Sequence, residues 1–463
     1  MEKSQLAQMV QTFSEPEKKE IKRFLESPFF NRREDVVFLF DWFCRETEPH
    51  KVTAKTILFG ESETDDQELR LRMTYLMRHL EEYVAVKTFL AGQWDSRVYL
   101  AAGLRRRGMA QPFLRTKKSL EKKLEAQTVR DADFFQWQYR LEWEAHQQEY
   151  PQQPTEVGHL LAAAEAADVA YLLQRLRILC LLKAHGTVYQ SEGQTGWEAE
   201  VLAYAETRYA QKHTAVGVYL ACYHMLDNPD AEQPFLDFKQ QLLGNAAIFR
   251  EEEMHPLYML ALNFCIRRIN AGQAGYFHEA LELYKAGLDL GFLFENGQLT
   301  RYTYFNIAAA GIQTGDLEWV RFFINEYKGL VEKKHRESAF SFNLARLEYA
   351  SRHYGHVLEL LQHANYRDPL LNLAAKTLLL KTYYDLGEYD LLQSHLDAMR
   401  NYVQRKRVIG YHRTNYLNII RYTEKLLRLN PMDKAAVSVL KKSVEAEAVL
   451  TEKGFLMGKL GGN

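Results

Sequence analysis

Two amides and two cations recur at matching positions in the C-terminal half of this 463-residue chain. Asn306 and Asn343 lie 37 residues apart, and Arg346 and Lys381 lie 35 apart. Tyr302, Tyr349 and Tyr384 fall close by. Stacked amides, cations and a tyrosine wall suit an acidic segment or a C-terminal carboxylate, because Arg and Lys form charge-assisted hydrogen bonds with carboxylate oxygens. The plainer alternative is that the asparagines cap local backbone or face solvent and the cations form surface pairs of little energetic weight.

A second constellation is electrostatic. Arg105, Arg106 and Arg107, with Arg115, Lys117, Lys118, Lys122 and Lys123, are countered up to that point only by Glu121, and Phe113 is the lone aromatic among them. Gathered on one helix face, such charge would be a nucleic-acid footprint; spread around the helix, it is solvated surface. Arg405-Lys406-Arg407 is a shorter run at a helix end, where cations suit the dipole.

Catalytic signatures are missing. The fifteen histidines form no HExxH or similar pair, and Glu251 to His255 reads as a charged helix start. Gly193-Gln194-Thr195-Gly196 lacks the Gly-Lys-Ser/Thr of a phosphate loop, and no GxSxG or GxGxxG occurs. The expectation is a non-enzyme with no cofactor and no metal.

Hydrophobic residues make up 47% and charged residues 26%, a globular rather than disordered balance. Only 11 prolines occur, about half the usual ~5%, which suits helix because proline removes a backbone donor. Net charge is −1, offering no global field to draw in nucleic acid or an anionic membrane. Cys44, Cys180, Cys222 and Cys265 are far apart with no CxxC, as expected of buried free thiols in a reducing compartment. The N-terminus has no apolar leader, and no stretch approaches ~18 uninterrupted apolar residues. A cytoplasmic protein without membrane spans is expected.

Helix punctuation is clearest at the N-terminus. Ser14-Glu15-Pro16-Glu17 reads as a capping box with proline in the donor-free first turn. That helix ends before Ser27-Pro28, Asn31 is expected to cap the next, and Phe29 and Phe30 to staple the two together. The apolar stripe of Val36, Val37, Leu39, Phe40, Trp42 and Phe43 must be buried. Further helices are expected near 54–59, 65–90, 95–107, 112–127, 131–148 and 155–187, then at 197–211, 214–226, 233–244, 255–270, 410–428 and 432–452. Gly186 to Gly196 is the most turn-rich stretch, and the Gly-rich tail 454–463 is expected to fray.

Between about 260 and 402 the chain repeats itself. Phe305-Asn306-Ile307-Ala308 leads to Gly315-Asp316-Leu317, Phe342-Asn343-Leu344-Ala345 to His353-Tyr354-Gly355, and Leu378-Leu379-Leu380 to Gly387-Glu388-Tyr389. With Leu317, Tyr354 and Tyr389 equivalent, the periods are 37 and 35, and a fainter copy at Gly275–Ala280 lies 40 upstream. Such periods mean stacked helical hairpins. The segments resemble tetratricopeptide repeats. Tyr304, Ile307, Ala308, Leu317, Val320 and Ile324 fill the pattern, as do Leu344, Ala345, Tyr354, Val357, Leu361 and Ala364, and then Leu379, Leu380, Tyr389, Leu392, Leu396 and Met399. The second-helix small residue is Val or Leu here, and the closing proline has only Asp368-Pro369 as a near counterpart. That resemblance implies that the first helix of each hairpin lines a concave face, where an Asn holds a peptide backbone. The family's carboxylate-clamp pattern is incomplete, since Ala309 stands where its first cation belongs. Separately, Phe24-Leu25-Glu26-Ser27-Pro28-Phe29-Phe30-Asn31 is similar to a stretch of uncharacterised bacterial helical-repeat proteins, which imply architecture and no activity.

The sequence therefore points to an all-α protein. It reads as an N-terminal helical domain (1–92), a long-helix region (93–190) that is either degenerate repeats or a separate unit, a tetratricopeptide-like α-solenoid (191–430, clearest at 260–402) and a C-terminal capping helix with tail (431–463). The expected function is an intracellular adaptor or scaffold holding a protein or peptide through Asn306, Asn343, Arg346, Lys381, Tyr302 and Tyr349. The alternative is a nucleic-acid-associated regulator using the 105–123 helix.

Overall fold

Caps and apolar stripes in the sequence are followed closely by helices. The computed structural model describes residues 4–46, 50–59, 66–151, 153–189, 196–363, 366–405 and 412–461, and among them the regular elements are helical, without strands. The chain divides into two units, Met1–Gln174 and Arg175–Asn463.

The first unit contains α1 (Gln5–Thr12), α2 (Glu15–Glu26), α3 (Glu34–Arg45), α4 (Lys51–Phe59), α5 (Asp66–Ala91), α6 (Gln93–Arg106), α7 (Ala110–Ala126), α8 (Ala132–Glu149) and the start of α9 (Gly158–Tyr189). The Ser14 N–H donates to Glu17 Oε2 at 2.9 Å, the reciprocal half of the capping box. Helix α3 buries Val36, Leu39, Phe40, Trp42 and Phe43, and α5 meets it with Leu69, Leu76, Leu80 and Tyr83. Helices α6, α7 and α8 pack on one another, enclosing Phe113, Leu120 and Leu124 of α7.

The bend before α3 differs from expectation. Asn31 does not cap the helix, which starts after Arg33; it is buried in the bend instead. Its Nδ2 donates to the carbonyls of Leu25 at 2.8 Å and Arg33 at 2.9 Å, and its Oδ1 accepts the Arg33 N–H at 3.0 Å. A short amide satisfies a tight turn from within, so it is used two residues before the N-cap Arg33. Only one of the two adjacent rings staples: Phe30 stacks on Phe24 at 4.0 Å between centroids, while Phe29 is 86% exposed.

The second unit continues from α9 through α10 (Glu198–Tyr204), a π-helical turn at Ala205–Tyr209, α11 (Thr214–Asp227), α12 (Gln233–Gly244), α13 (Glu251–Asn270), α14 (Tyr276–Asp289), α15 (Arg301–Thr314), α16 (Leu317–Glu326), α17 (Arg336–Ala350), α18 (Tyr354–His363), α19 (Pro369–Leu386), α20 (Tyr389–Arg405), α21 (His412–Leu427), α22 (Lys434–Ala446) and α23 (Lys453–Leu460). Helices α10 and α11 both pack on the π-helical turn between them, from α11 onward each helix packs on the next, and the first helices of successive hairpins meet, α15 on α17 and α17 on α19. This is an all-α helical-hairpin solenoid.

The repeat register is visible in burial. Tyr304, Ile307, Ala308, Val320 and Ile324 are buried, as are Ala345, Val357 and Leu361, then Leu380, Leu392, Leu396 and Met399. Tyr389 departs from the pattern and is half exposed. The hairpin turns need a left-handed residue: Gly315 at φ 81° and Gly387 at φ 76°, with Arg352 at φ 62° in the middle copy. Asp368 caps α19, accepting the N–H groups of Leu370 and Leu371, and Pro369 occupies the donor-free first position.

The tail is ordered, contrary to expectation. Residues 453–460 form α23, whose Leu456 is 1% exposed and packs with Leu460 into the core of α19 to α22. An i, i+4 leucine pair gives this short helix an apolar edge, and tertiary packing outweighs its glycines. The glycine run expected as a boundary starts inside α9, which extends through Gly186 to Tyr189. Residues 190–195, Gly60, Ala364, Lys406 with Arg407, and the last two residues lie outside the described residues.

Two stability measurements follow. Leu456→Ala should cost about 2–5 kcal/mol in chemical denaturation, whereas a frayed tail would cost nothing. Arg352→Gly should gain up to about 1 kcal/mol by relieving the left-handed residue, and Gly387→Ala should lose about as much.

Candidate partner-binding site

Helices α15, α17 and α19 carry the residues singled out from the sequence, and the stack treats them differently. Asn343 is fully buried; its Nδ2 donates to the Tyr304 carbonyl at 3.2 Å, tying α17 to α15. It orders the wall and does not present its amide to solvent. Asn306, at the same position one repeat earlier, is exposed on α15 and bonds the buried Tyr284 phenol of the preceding hairpin.

Arg346 lies one turn along α17 from Asn343. It is partly buried, and burial lowers its pKa from the usual guanidinium value, with Glu452 offsetting this only from a distance. Its Nη1 donates to the Phe305 carbonyl at 3.4 Å, and its guanidinium lies 5.7 Å from the Phe342 ring centroid. Among the described residues no carboxylate lies within 4.0 Å of it. A guanidinium has five N–H donors, so most of its capacity is open.

Lys381, one repeat on, is already engaged. Its Nζ donates to Glu452 Oε2 at 2.8 Å and sits 4.8 Å over the Tyr349 ring. The Tyr349 hydroxyl donates to Asp385 Oδ2 at 2.6 Å, and burial together with that carboxylate pushes its pKa up, so the phenol keeps its proton. Tyr302 is exposed at the start of α15, with Arg301 donating to its hydroxyl at 2.7 Å. The structure thus joins Tyr349 and Lys381 in one cluster, places Arg346 and Asn343 on the same helix, and leaves Tyr302 apart from that cluster.

The sequence reading missed the partners that α23 brings. Glu452 meets Lys381, Lys459 pairs with Asp385, and Phe455 stands edge-on to Tyr384 at 5.7 Å. The signal was present in the Phe455-Leu456 to Leu460 spacing, masked by the flanking glycines. A neighbouring cleft of about 1070 Å³ carries Lys333, Lys334 and Arg367 beside Glu337 and Glu359, while Arg301 in its wall is paired with Asp368 and Lys334 with Glu332.

A further polar cluster locks the α17–α18 turn. Glu348, almost wholly buried, accepts Arg321 Nη1 at 2.6 Å and His353 Nδ1 at 2.7 Å. Burial, the largest single influence, would raise its carboxyl, but those two bonds together with the nearby charge of Arg321 and His356 outweigh it and hold the group below its ordinary 4.5.

No protein-family model, no curated protein and no solved structure matches this chain. Among the described residues no helix is long and apolar enough to cross a membrane, and no group of three or more His, Cys, Asp or Glu is placed to hold a metal.

A depressed carboxyl lends stability above its unfolded pKa and loses it as pH falls toward the folded value. Glu348→Gln should therefore be less stable than wild type at pH 7, with the gap narrowing as pH falls from about 5 towards 3 in denaturation series. A gap independent of pH would remove the ionised-carboxylate account.

Proposed function

We propose that the second unit is a non-catalytic adaptor or scaffold, resembling a tetratricopeptide-like solenoid, that holds an extended carboxylate-bearing peptide segment on the face of α15, α17 and α19. One observation carries this reading. Arg346 is a partly buried cation with a weak carbonyl contact and no carboxylate within 4.0 Å among the described residues. Desolvating a guanidinium without a counter-charge is costly, and an incoming carboxylate would offset that cost through two parallel N–H···O bonds. Lys381, Tyr349 and exposed Asn306 would lie along the same peptide, with Asn343 holding α17 in register beneath it.

The full-length protein should select peptides ending in a free carboxylate, or carrying Asp or Glu, from an immobilised peptide library. Binding of the selected peptide, read by fluorescence anisotropy, should weaken roughly ten- to hundredfold in Arg346→Ala, the effect of about 1.5–3 kcal/mol for a charge-assisted bond. Arg346→Lys should recover part of the loss, because it restores charge without the planar fork. Selection of neutral peptides, or equal affinity of wild type and Arg346→Ala at unchanged melting temperature, would overturn the assignment.

A further inference from the structure

The near-zero net charge of the chain conceals a strongly basic helical hairpin in the first unit. Residues 97–130 contain ten Lys and Arg against two Glu, a net of +8, while the whole chain is −1. The structure sorts these cations. Arg105 pairs with Glu144, and Lys117 with Glu121 at 2.8 Å; both are shielded from solvent. Arg106, Arg115, Lys118, Lys122 and Lys123 are exposed, and among the described residues none has a carboxylate within 4.0 Å. Arg115, Lys118 and Lys122 stand at i, i+3 and i+7, which places them in one row along α7.

The chemistry of the row selects its partner. Three cations over seven residues span about 10 Å of helix. A duplex strand advances ~3.4 Å along the duplex axis per phosphate, so about three phosphates of a strand fall within the axial reach of the row. The apolar side of α7 is already used, since Phe113, Leu120 and Leu124 are buried against the neighbouring helices. An amphipathic membrane helix would need that side free to enter lipid. We infer that the α6–α7 hairpin binds the phosphodiester backbone of nucleic acid, through Arg115, Lys118 and Lys122 with Arg106 at its end, and without reading base sequence. This surface is independent of the peptide site proposed for the second unit.

Full-length protein is titrated into a labelled 30-base-pair DNA duplex and a 30-nucleotide single-stranded RNA at several salt concentrations, with phosphatidylserine vesicles and polyglutamate in parallel. Wild type should bind at least one nucleic acid at about 50 mM salt, with log affinity falling linearly in log salt. Arg115→Gln/Lys118→Gln/Lys122→Gln should reduce that slope by about three, roughly one per lost contact. A control with the same charge change elsewhere, Arg428→Gln/Lys434→Gln/Lys442→Gln, should leave the slope unchanged. All six positions are exposed, so melting temperatures should agree. The inference is overturned by failure of wild type to bind either nucleic acid, by an unchanged slope in the α7 variant, or by an equal fall in the control. Vesicle or polyglutamate binding in place of nucleic acid overturns it as well.

Discussion

The second unit depends on one constraint: a helical hairpin cannot bury its own apolar face, so each hairpin exists only as the floor of the next. Tyr304 shows how that constraint is met. Its ring is wholly buried against Phe323, its hydroxyl donates to the Ile324 carbonyl at 2.6 Å, and its own carbonyl accepts Asn343 from the next hairpin. One residue thus joins both helices of its own hairpin and the first helix of its successor. At Gly311 the chains come closer still, because a Cβ there would meet Val320 Cγ2 at 2.3 Å. Close packing at these two points leaves little freedom in how α15, α16 and α17 meet.

Polar groups follow the same chain-order logic. Lys239 reaches Glu279, Lys285 reaches Asp316, Arg321 reaches Glu348 and Tyr349 reaches Asp385, each a bond from one hairpin to its neighbour. Lys381, near the end of the stack, takes its carboxylate from Glu452, the residue that precedes α23, instead. A solenoid must close its last apolar face, and α23 does so with Leu456 and Leu460, while Glu452 before it and its own Lys459 join the polar row. Arg346 stands out against that background because its carbonyl contact is long and its counter-charge distant.

Much of this architecture was legible in the sequence because burial leaves a periodic trace. The repeat register predicted Ile307, Val320, Val357, Leu380, Leu392 and Met399 as core, and each is buried. Local chemistry was less legible wherever one residue type serves two ends. Asn306 and Asn343 hold the same repeat position, yet the first stays exposed while bonding a phenol of the preceding hairpin and the second is buried on a backbone carbonyl, because their surroundings come from different hairpins. Asn31 looked like a cap and is a turn amide, as both roles use the same short side chain. The tail was misread for a related reason: glycine content is local, whereas the burial of Leu456 depends on helices that precede it in the chain.

Net charge misleads by the same route, through averaging. At about 0.1 M salt, charges are screened over ~10 Å, so a partner responds to the cations within that distance and not to the sum over the chain. The row from Arg115 to Lys122 is about that long. Acidic residues more than a Debye length away cancel it in composition but hardly at its surface. A chain of net charge −1 can therefore present a local field of the sign and reach that a phosphate backbone requires, provided folding leaves those cations unpaired. In α7 the fold pairs Lys117, the cation nearest the buried side, and leaves the outer row facing solvent.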